Sequence, residues 1–172
     1  MRRRCFRTVS ALSALSGLSA LSALLLTLGA VSSSHAQSAP QRLTLAEAQK
    51  IIDAAHKAAA DMNLRVSVAV VDSRGDLIAL GRMPGAGANT PDTAIGKAMM
   101  SAIYGQPSGA LASRATSPAT QAFNDATGGR LRFVQGAVPI IRNGWIMGGV
   151  GASGASALQD EQVSAAALSA LP

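Results

Sequence analysis

Residues 65–83 read RVSVAVVDSRGDLIALGRM, and this stretch determines the kind of sheet that the chain can form. Its first part, residues 65–71, is rich in valine and predicts a buried strand. Asp72 to Gly75 has the composition of a tight turn in which the glycine supplies a positive φ, and residues 77–83 return as a second strand. Strands joined by a tight turn pair antiparallel, so this stretch predicts an antiparallel sheet and not a parallel, doubly wound one.

Three further strands are predicted in the second half of the chain, at residues 131–134, 138–141 and 145–150. Asn143-Gly144 lies between the last two strands and is a strong hairpin signal, because both residues adopt positive φ readily. Together with the first hairpin, these segments predict a sheet of five strands.

Helical segments alternate with the hairpins. Thr44 and Glu47 form a capping box ahead of an apolar stripe at helical spacing. Thr90, followed by proline, predicts the start of a second helix, residues 108–127 predict one or two short helices, and a capping box at Ser156 starts a last helix. The order predicts an α/β fold of the α+β kind, an antiparallel five-stranded sheet flanked by helices.

Residues 1–36 have the organisation of a removable signal peptide. Four arginines precede an apolar run rich in Ser, Ala and Leu, and Ser34-His35-Ala36 provides the small residues that a signal peptidase accepts. We expect export to the periplasm or the medium by the general secretory route, with the twin-arginine route as an alternative because Arg3-Arg4-Cys5-Phe6 matches part of that signal. Residues 37–43 are predicted to be a flexible leader and residues 44–172 one domain, with no permanent membrane span.

Removal of the signal changes the charge of the protein. The whole chain has 15 Lys and Arg and 9 Asp and Glu, a formal net charge of +6. Four of the arginines lie in the signal, so the remaining domain is close to neutral and has no basic cluster, and nucleic-acid binding is not expected. The single cysteine, Cys5, also lies in the signal, which leaves the domain without disulfide or thiolate chemistry.

Residues 149–154 (GVGASG) match the letters of the G-x-G-x-x-G dinucleotide motif. The antiparallel context argues against nucleotide binding, and close packing of a strand and its exit turn is the simpler interpretation. A further interpretation stays open, in which free amides before Ser156 hold a carboxylate. Asp72 and Asp76 flank a turn and are expected to accept hydrogen bonds from backbone amides.

Four segments of the chain resemble the GlcG/HbpS family, also called the haem-degrading domain, namely residues 43–59, 66–86, 94–108 and 136–171. The motifs that carry the resemblance are VAVVDSRGDLIALGRM (68–83), GKA (96–98), GAVPI (136–140), GASG (151–154) and QDE (159–161). The resemblance implies a profilin- or PAS-like fold, a homo-oligomer, and haem binding in some members. The family often has a histidine after the turn glycine where this chain has Asp76, a difference that weakens the case for histidine-ligated haem.

Haem binding, where the resemblance implies it, requires an apolar slot, cations for the propionates and an axial donor. We expect Arg82 and Lys97 to pair with the propionates. The axial candidates are Tyr104, His56 and Met83, and Ser108 offers a hydroxyl ligand or a bound water. Each has a structural alternative: core packing for the axial candidates, a solvated helix face for Lys97, and a surface ion pair for Arg82.

Two hypotheses of function follow. The first is an exported haem-binding protein for capture, buffering or sensing of haem, with peroxide-linked haem breakdown as side chemistry. The alternative is a non-enzymatic oligomeric accessory protein, or a small-molecule-binding protein without haem. Hydrolase and dehydrogenase activities are disfavoured, because His56 is the only histidine after the signal, no G-x-S-x-G motif is present, and the cofactor motif is incomplete.

Overall fold

The computed structural model describes residues 42–171, so the predicted signal peptide and residues 37–41 of the predicted leader lie outside the described residues. The elements follow in the order α1 (Leu45–Asp61), β1 (Ser67–Asp72), β2 (Leu77–Arg82), α2 (Thr90–Tyr104), a 3₁₀ helix (Ser108–Thr116), α3 (Pro118–Ala126), β3 (Ala137–Arg142), β4 (Trp145–Ser153), α4 (Ala157–Ala167) and a 3₁₀ turn (Leu168–Ala170). Between residues 42 and 171, no helix combines the length and the apolar character that a membrane span requires.

The sheet has four strands in the order β2-β1-β4-β3, and every neighbouring pair is antiparallel. Both predicted hairpins are present, since β1 pairs with β2 and β3 pairs with β4. Asn143 and Gly144 have φ of 52° and 79°, the two positive values that a tight hairpin turn requires. The prediction of an antiparallel sheet flanked by helices is confirmed, whereas the number of strands is four and not five.

The predicted strand at residues 131–134 is wrong. The N–H of Leu131 donates to Oδ1 of Asn124 at 2.8 Å, and the N–H of Arg132 donates to the carbonyl of Gly96 in α2 at 3.3 Å. These amides therefore bind to helical elements and not to a neighbouring strand. Residues 130–135, named here the connecting segment, run across α2 toward the start of β3.

The N-termini of the helices show which of the predicted capping motifs are present. Thr44 with Glu47 and Ser156 with Gln159 both form complete capping boxes, as predicted. The predicted cap at Thr90 is wrong, because Asn89 is the N-cap of α2. Thr90 is instead buried, and its hydroxyl donates to the carbonyl of Gly87 at 2.7 Å.

A layer of helices covers each face of the sheet. α1 and α4 pack together on one face, against side chains such as Val68, Val70 and Val150. α2 covers the other face, where Met99 and Met100 pack with Val71. The domain therefore has two apolar clusters, one on each side of the sheet.

α2 approaches β4 more closely than any strand side chain would permit. A Cβ on Gly149 would lie 2.3 Å from the carbonyl oxygen of Ala98, and a Cβ on Gly151 would lie 2.6 Å from that of Ala94. The glycines of the G-x-G-x-x-G stretch thus leave room for a helix backbone, in agreement with the close-packing interpretation.

A buried ion pair links α2 to α4. Nζ of Lys97 donates to Oδ2 of Asp160 at 2.8 Å and to the carbonyl of Ala152, at the end of β4, at 3.2 Å. Both side chains are 3% exposed. The solvated helix face considered for Lys97 is therefore wrong, since its ammonium group lies in the interior.

The same carboxylate also occupies the amides before α4. Oδ1 of Asp160 accepts the N–H of Ala155 at 3.0 Å, so the chain's own carboxylate fills the position considered for a bound anion. Burial raises the pKa of Asp160 above its ordinary value, and the hydrogen bond and charge of Lys97 offset part of this rise. A Cβ on Gly136 would lie 2.6 Å from Nζ of Lys97, so a glycine is required beside the pair.

We predict that Lys97→Met lowers the free energy of unfolding by about 3–5 kcal/mol, because it leaves a buried carboxylate without its partner. The double variant Lys97→Met/Asp160→Asn should recover more than half of this loss, since it removes both charges and keeps an acceptor for Ala155. Lys57→Met is the matched control: it breaks the exposed pair with Asp61 and should change stability by less than about 0.5 kcal/mol. Urea denaturation of the four proteins provides the comparison, and equal losses for Lys97→Met and Lys57→Met would contradict a structural role for the pair.

A second ion pair joins the start of α1 to the end of β3. Glu47 accepts the backbone N–H of Thr44 at 2.8 Å through Oε2 and pairs with the guanidinium of Arg142 through Oε1. The hydrogen bond from Thr44, and next that from Arg142, lower the pKa of Glu47 from 4.5 to about 2. Because the folded-state pKa lies below the unfolded value, this carboxylate stabilises the fold above pH 4.5 and loses that effect as the pH falls toward 2.

Glu47→Gln should therefore lower the free energy of unfolding by about 1 kcal/mol at pH 7, a modest value because the pair is partly solvated. Glutamine still fits the capping box, so the variant tests the charge and not the cap. Denaturant titrations between pH 7 and pH 2 should show the difference from the wild type shrinking once the pH falls below 4.5. A difference that stays constant across this range would refute the assignment.

Candidate functional site

The six residues predicted for a ligand site separate into two groups. His56, Arg82 and Met83 lie beside β2 at one edge of the sheet. Lys97, Tyr104 and Ser108 belong to α2 and the 3₁₀ helix, and the hydroxyl of Ser108 contacts β3 at the opposite edge. None of the six residues lines any of the three pockets described between residues 42 and 171, so the structure does not bring them together into one site.

The polar side chains of the group at the β2 edge contact backbone carbonyls of the same chain. Nε2 of His56 lies 3.3 Å from the carbonyl of Gly81, and the partly buried Met83 packs against the apolar cluster between the sheet and α1. The guanidinium of Arg82 donates to the carbonyl of Ala86 through Nε at 3.2 Å and through Nη2 at 2.6 Å. Among residues 42–171, Arg82 has no ion pair of the kind considered for it.

The side chains of the second group are also held by contacts within the chain. Oγ of the buried Ser108 accepts the N–H of Ala137 at 3.0 Å and so anchors the 3₁₀ helix to β3. Tyr104 is partly buried at the end of α2, with the guanidinium of Arg114 5.0 Å from the centre of its ring. The ammonium group of Lys97 forms its ion pair with Asp160.

Of the two turn aspartates, Asp72 has the predicted role, whereas the carboxylate of Asp76 binds a side chain and not a backbone amide. Oδ1 of Asp72 accepts the backbone N–H groups of Arg74 at 2.8 Å and Asp76 at 3.0 Å. The carboxylate of Asp76 pairs with the guanidinium of Arg74 at 2.6 Å. Both side chains thus stabilise the β1–β2 turn, and the described part of the chain contains no group of three or more His, Cys, Asp or Glu that could hold a metal ion.

An open pocket of about 580 Å³ lies between the 3₁₀ helix, the connecting segment and α4. Its volume falls within the range of about 300–1,000 Å³ typical of small-molecule sites. Two other cavities, of about 90 and 270 Å³, are smaller. The pocket is lined by Pro107, Gly109, Ala110, Ala112, Phe133, Val134, Gln135 and Glu161.

The polar side chains of this pocket are Gln135 and Glu161. Nε2 of Gln135 donates to Oε1 of Glu161 at 3.0 Å. The other carboxylate oxygen, Oε2, is buried and has no hydrogen-bond partner among the described residues. A buried carboxylate oxygen without a partner is unusual, because burial removes the hydration of a charged acceptor.

Glu161 is not among the residues predicted from the sequence for a ligand site. Glu161 is part of the QDE motif. The sequence does not show, however, that Asp160 points inward to Lys97 and that the next residue, Glu161, lines the pocket. Successive helical side chains diverge by about 100°, so the inward position of Asp160 turns Glu161 toward the connecting segment. The partner in that contact, Gln135, lies 26 positions earlier in the chain.

Comparisons with known proteins agree with the architecture. The family model described as haem degrading protein HbpS-like matches residues 43–169. A 15.0 kDa protein from the dhaT–dhaS intergenic region of Citrobacter freundii is 30% identical over 128 residues, which are 73% of this chain and 89% of that protein.

Solved structures provide a second line of agreement. A double mutant of HbpS from Streptomyces reticuli superposes with a TM-score of 0.68 at 29% identity, over 93% of this chain and 99% of that one. A structure described as the PduOC:heme complex superposes with a TM-score of 0.66 at 25% identity, over 76% of this chain and 96% of that one. On the extent of the family match, the chain belongs to the HbpS-like family of haem degrading proteins.

Proposed function

We propose that this protein binds haem in the pocket between the 3₁₀ helix, the connecting segment and α4. The observation that carries the proposal is an open pocket of about 580 Å³ with mainly apolar walls, in a chain of the HbpS-like family. A structural relative that is described as a haem complex supports the same ligand class.

The apolar residues of the pocket suit the ring of haem, but no cation for the propionates is among the lining residues. Phe133, Val134 and Pro107 offer apolar surface to a flat macrocycle, and the opening leaves space for the propionates to reach solvent. The side chains in the lining that can donate an electron pair are those of Glu161 and Gln135. Bound haem iron supplies ligand binding and redox chemistry, for which the protein sets the surroundings and the axial contact.

The proposed ligand contacts differ from those expected from the sequence. Arg82 and Lys97 remain proposals for propionate partners, but Lys97 would have to leave its ion pair with Asp160, and Arg82 lies at the far edge of the sheet. The axial candidates His56, Met83 and Tyr104 and the hydroxyl of Ser108 lie outside the pocket lining. A role for any of these residues would require a second site or a rearrangement.

We also propose that the protein acts outside the cytoplasm, as a homo-oligomer that captures, buffers or senses haem. The support for export is the signal-peptide pattern of residues 1–36, and the support for an oligomer is the family resemblance. Peroxide-linked haem breakdown belongs to the same proposal as side chemistry of the bound iron.

A second candidate function is binding of another small molecule without haem. The observation that favours it is the composition of the pocket, whose lining contains no histidine, methionine, cysteine or tyrosine, the usual haem ligands. Asp76, at the position where the family often has a histidine, points in the same direction. An organic molecule other than haem that co-purifies with the native protein, detected by native mass spectrometry, would favour this candidate.

Hemin titration of the purified protein tests the proposed function. We expect a saturable Soret shift at about one haem per chain, and Val134→Glu should weaken binding at least about tenfold by placing a charge on the apolar wall. Val134 is 48% exposed, so the substitution should spare the fold. Leu158→Glu, at a residue that is 58% exposed and outside the pocket lining, is the control and should bind hemin like the wild type.

Two results would contradict the proposal. A featureless titration that does not saturate would exclude specific haem binding. Saturable binding that Val134→Glu leaves unchanged would exclude this pocket as the place where haem binds.

A further inference from the structure

The two edges of the sheet differ in the backbone groups that they leave free. At the β3 edge, the carbonyl of Gly136 accepts the N–H of Ala152 in β4. Because the direction of the backbone groups alternates along a strand, those of Ala137 and Pro139 point outward, away from β4. Oγ of Ser108 accepts the N–H of Ala137 at 3.0 Å, and a proline has no N–H. This part of the β3 edge therefore offers no free N–H to a further strand.

The β2 edge has no such protection within residues 42–171. The N–H of Met83 donates to the carbonyl of Val66 at 3.0 Å, so the backbone groups of Met83 point toward the chain of β1. By the same alternation, the N–H and C=O groups of Leu80 and Arg82 point away from the sheet. No strand of the described residues lies on that side, because β2 is the first strand in the order β2-β1-β4-β3.

The side chains of β2 leave this edge accessible and apolar. None of its six residues is buried, whereas five of the six residues of β1 are. Leu77 and Leu80 are 45% and 41% exposed, and residues 77–81 (LIALG) include no proline and no charged residue. Natural sheets protect their exposed edges with such residues or with a covering segment. An edge with apolar side chains and free backbone groups is a template for the addition of another strand.

The two ends of β2 differ in charge. The turn at residues 72–76 contains two aspartates and one arginine, while the other end has Arg82 and, just before β1, Arg65. Arg65 lies at this end because its Cγ is 3.8 Å from the position that a Cβ on Gly85 would take. Among residues 42–171, neither Arg65 nor Arg82 forms an ion pair. One end of the strand is therefore acidic, and the other has two cations without an acidic partner in the described chain.

Antiparallel pairing of two β2 strands brings these unlike ends together. In a two-fold contact the same surface is used by both copies, so the acidic turn of each copy lies beside the Arg82 end of the other. The attraction is thus made twice, whereas parallel pairing would bring like charges together. A second copy of the chain therefore complements this edge in its backbone groups, its apolar side chains and its charge.

We infer that two copies of this chain associate through antiparallel pairing of their β2 strands. The two four-stranded sheets then form one continuous sheet across the dimer. The outward N–H and C=O groups of Leu80 and Arg82 bind the same strand of the other copy, and Asp76 lies near the Arg82 end of that copy. The inference rests on the homo-oligomer of the proposed function, for which it supplies the interface, and it does not depend on haem binding.

A charge introduced at the edge is the first test. Leu80→Lys places an ammonium group beside the outward backbone groups and should raise the dissociation constant of the dimer at least about tenfold. Leu158→Lys, which changes an exposed leucine of α4, is the matched control and should associate like the wild type. Sedimentation over a range of protein concentrations measures the association, and circular dichroism establishes that each variant is folded.

Charge reversal gives a second test, which a structural role of the side chains cannot imitate. Asp76→Lys and Arg82→Glu each place like charges at both contacts, so each variant alone should associate at least about tenfold more weakly than the wild type. An equimolar mixture of the two variants again has unlike charges at both contacts, and its association should return to within about threefold of the wild type. Asp125→Lys and Arg130→Glu change exposed residues outside β2 and its turn, and these controls should show neither the loss nor the recovery.

Amide hydrogen exchange locates the contact within the chain. The N–H groups of Leu80 and Arg82 point away from β1, so they should exchange fast in a monomer and slowly in the dimer. Leu80→Lys should abolish the protection at Arg82. Fast exchange of both amides in the wild-type dimer would place the interface elsewhere.

The outcomes separate this inference from the proposed function. A wild type that stays monomeric at every concentration overturns the interface and the homo-oligomer together and leaves haem binding intact. An oligomer that Leu80→Lys and both charge reversals leave unchanged overturns the interface alone. Arg82→Glu also removes the hydrogen bonds to the carbonyl of Ala86, and if it fails to fold, Leu80→Lys and the amide exchange still decide between these outcomes.

Discussion

Lys97 and Asp160 place opposite charges in the interior where α2, the end of β4 and the start of α4 meet. In such surroundings each charge depends on its partner, because neither can recover its hydration without opening the fold. The pair is reinforced by the N–H of Ala155 and the carbonyl of Ala152, and Gly136 makes room for it. Residues from the GKA, GAVPI, GASG and QDE motifs therefore form one structural junction.

This junction determines where a ligand site can lie. With Lys97 and Asp160 bound to each other, the pocket wall takes its charged group from the next residue, Glu161, and its apolar surface from Phe133 and Val134. The proposed pocket lies at an edge of the sheet, between the 3₁₀ helix, the connecting segment and α4, whereas the glycines of β4 allow α2 to pack directly against the strand. Packing is dense at the centre of the domain and open at its edge.

Local signals in the sequence predicted most of the fold, and contacts distant in sequence determined what they missed. The two hairpins and the two capping boxes depend on residues a few positions apart, and all four are present. The apolar residues 131–134 satisfied a strand pattern, yet their amides bind α2 and Asn124, which no local pattern encodes. The ion pair of Lys97 spans 63 positions, so the sequence could not show that this lysine is buried, nor that Glu161 faces the pocket.

We propose that haem binds at the sheet edge against Phe133 and Val134, and not at the residues that the sequence motifs suggest. A crystal structure of the protein grown with hemin tests it most directly. We expect electron density for one porphyrin against Phe133 and Val134, with the Lys97–Asp160 pair intact. Density for haem beside His56 and Met83, or a Lys97 released from Asp160 to hold a propionate, would contradict it.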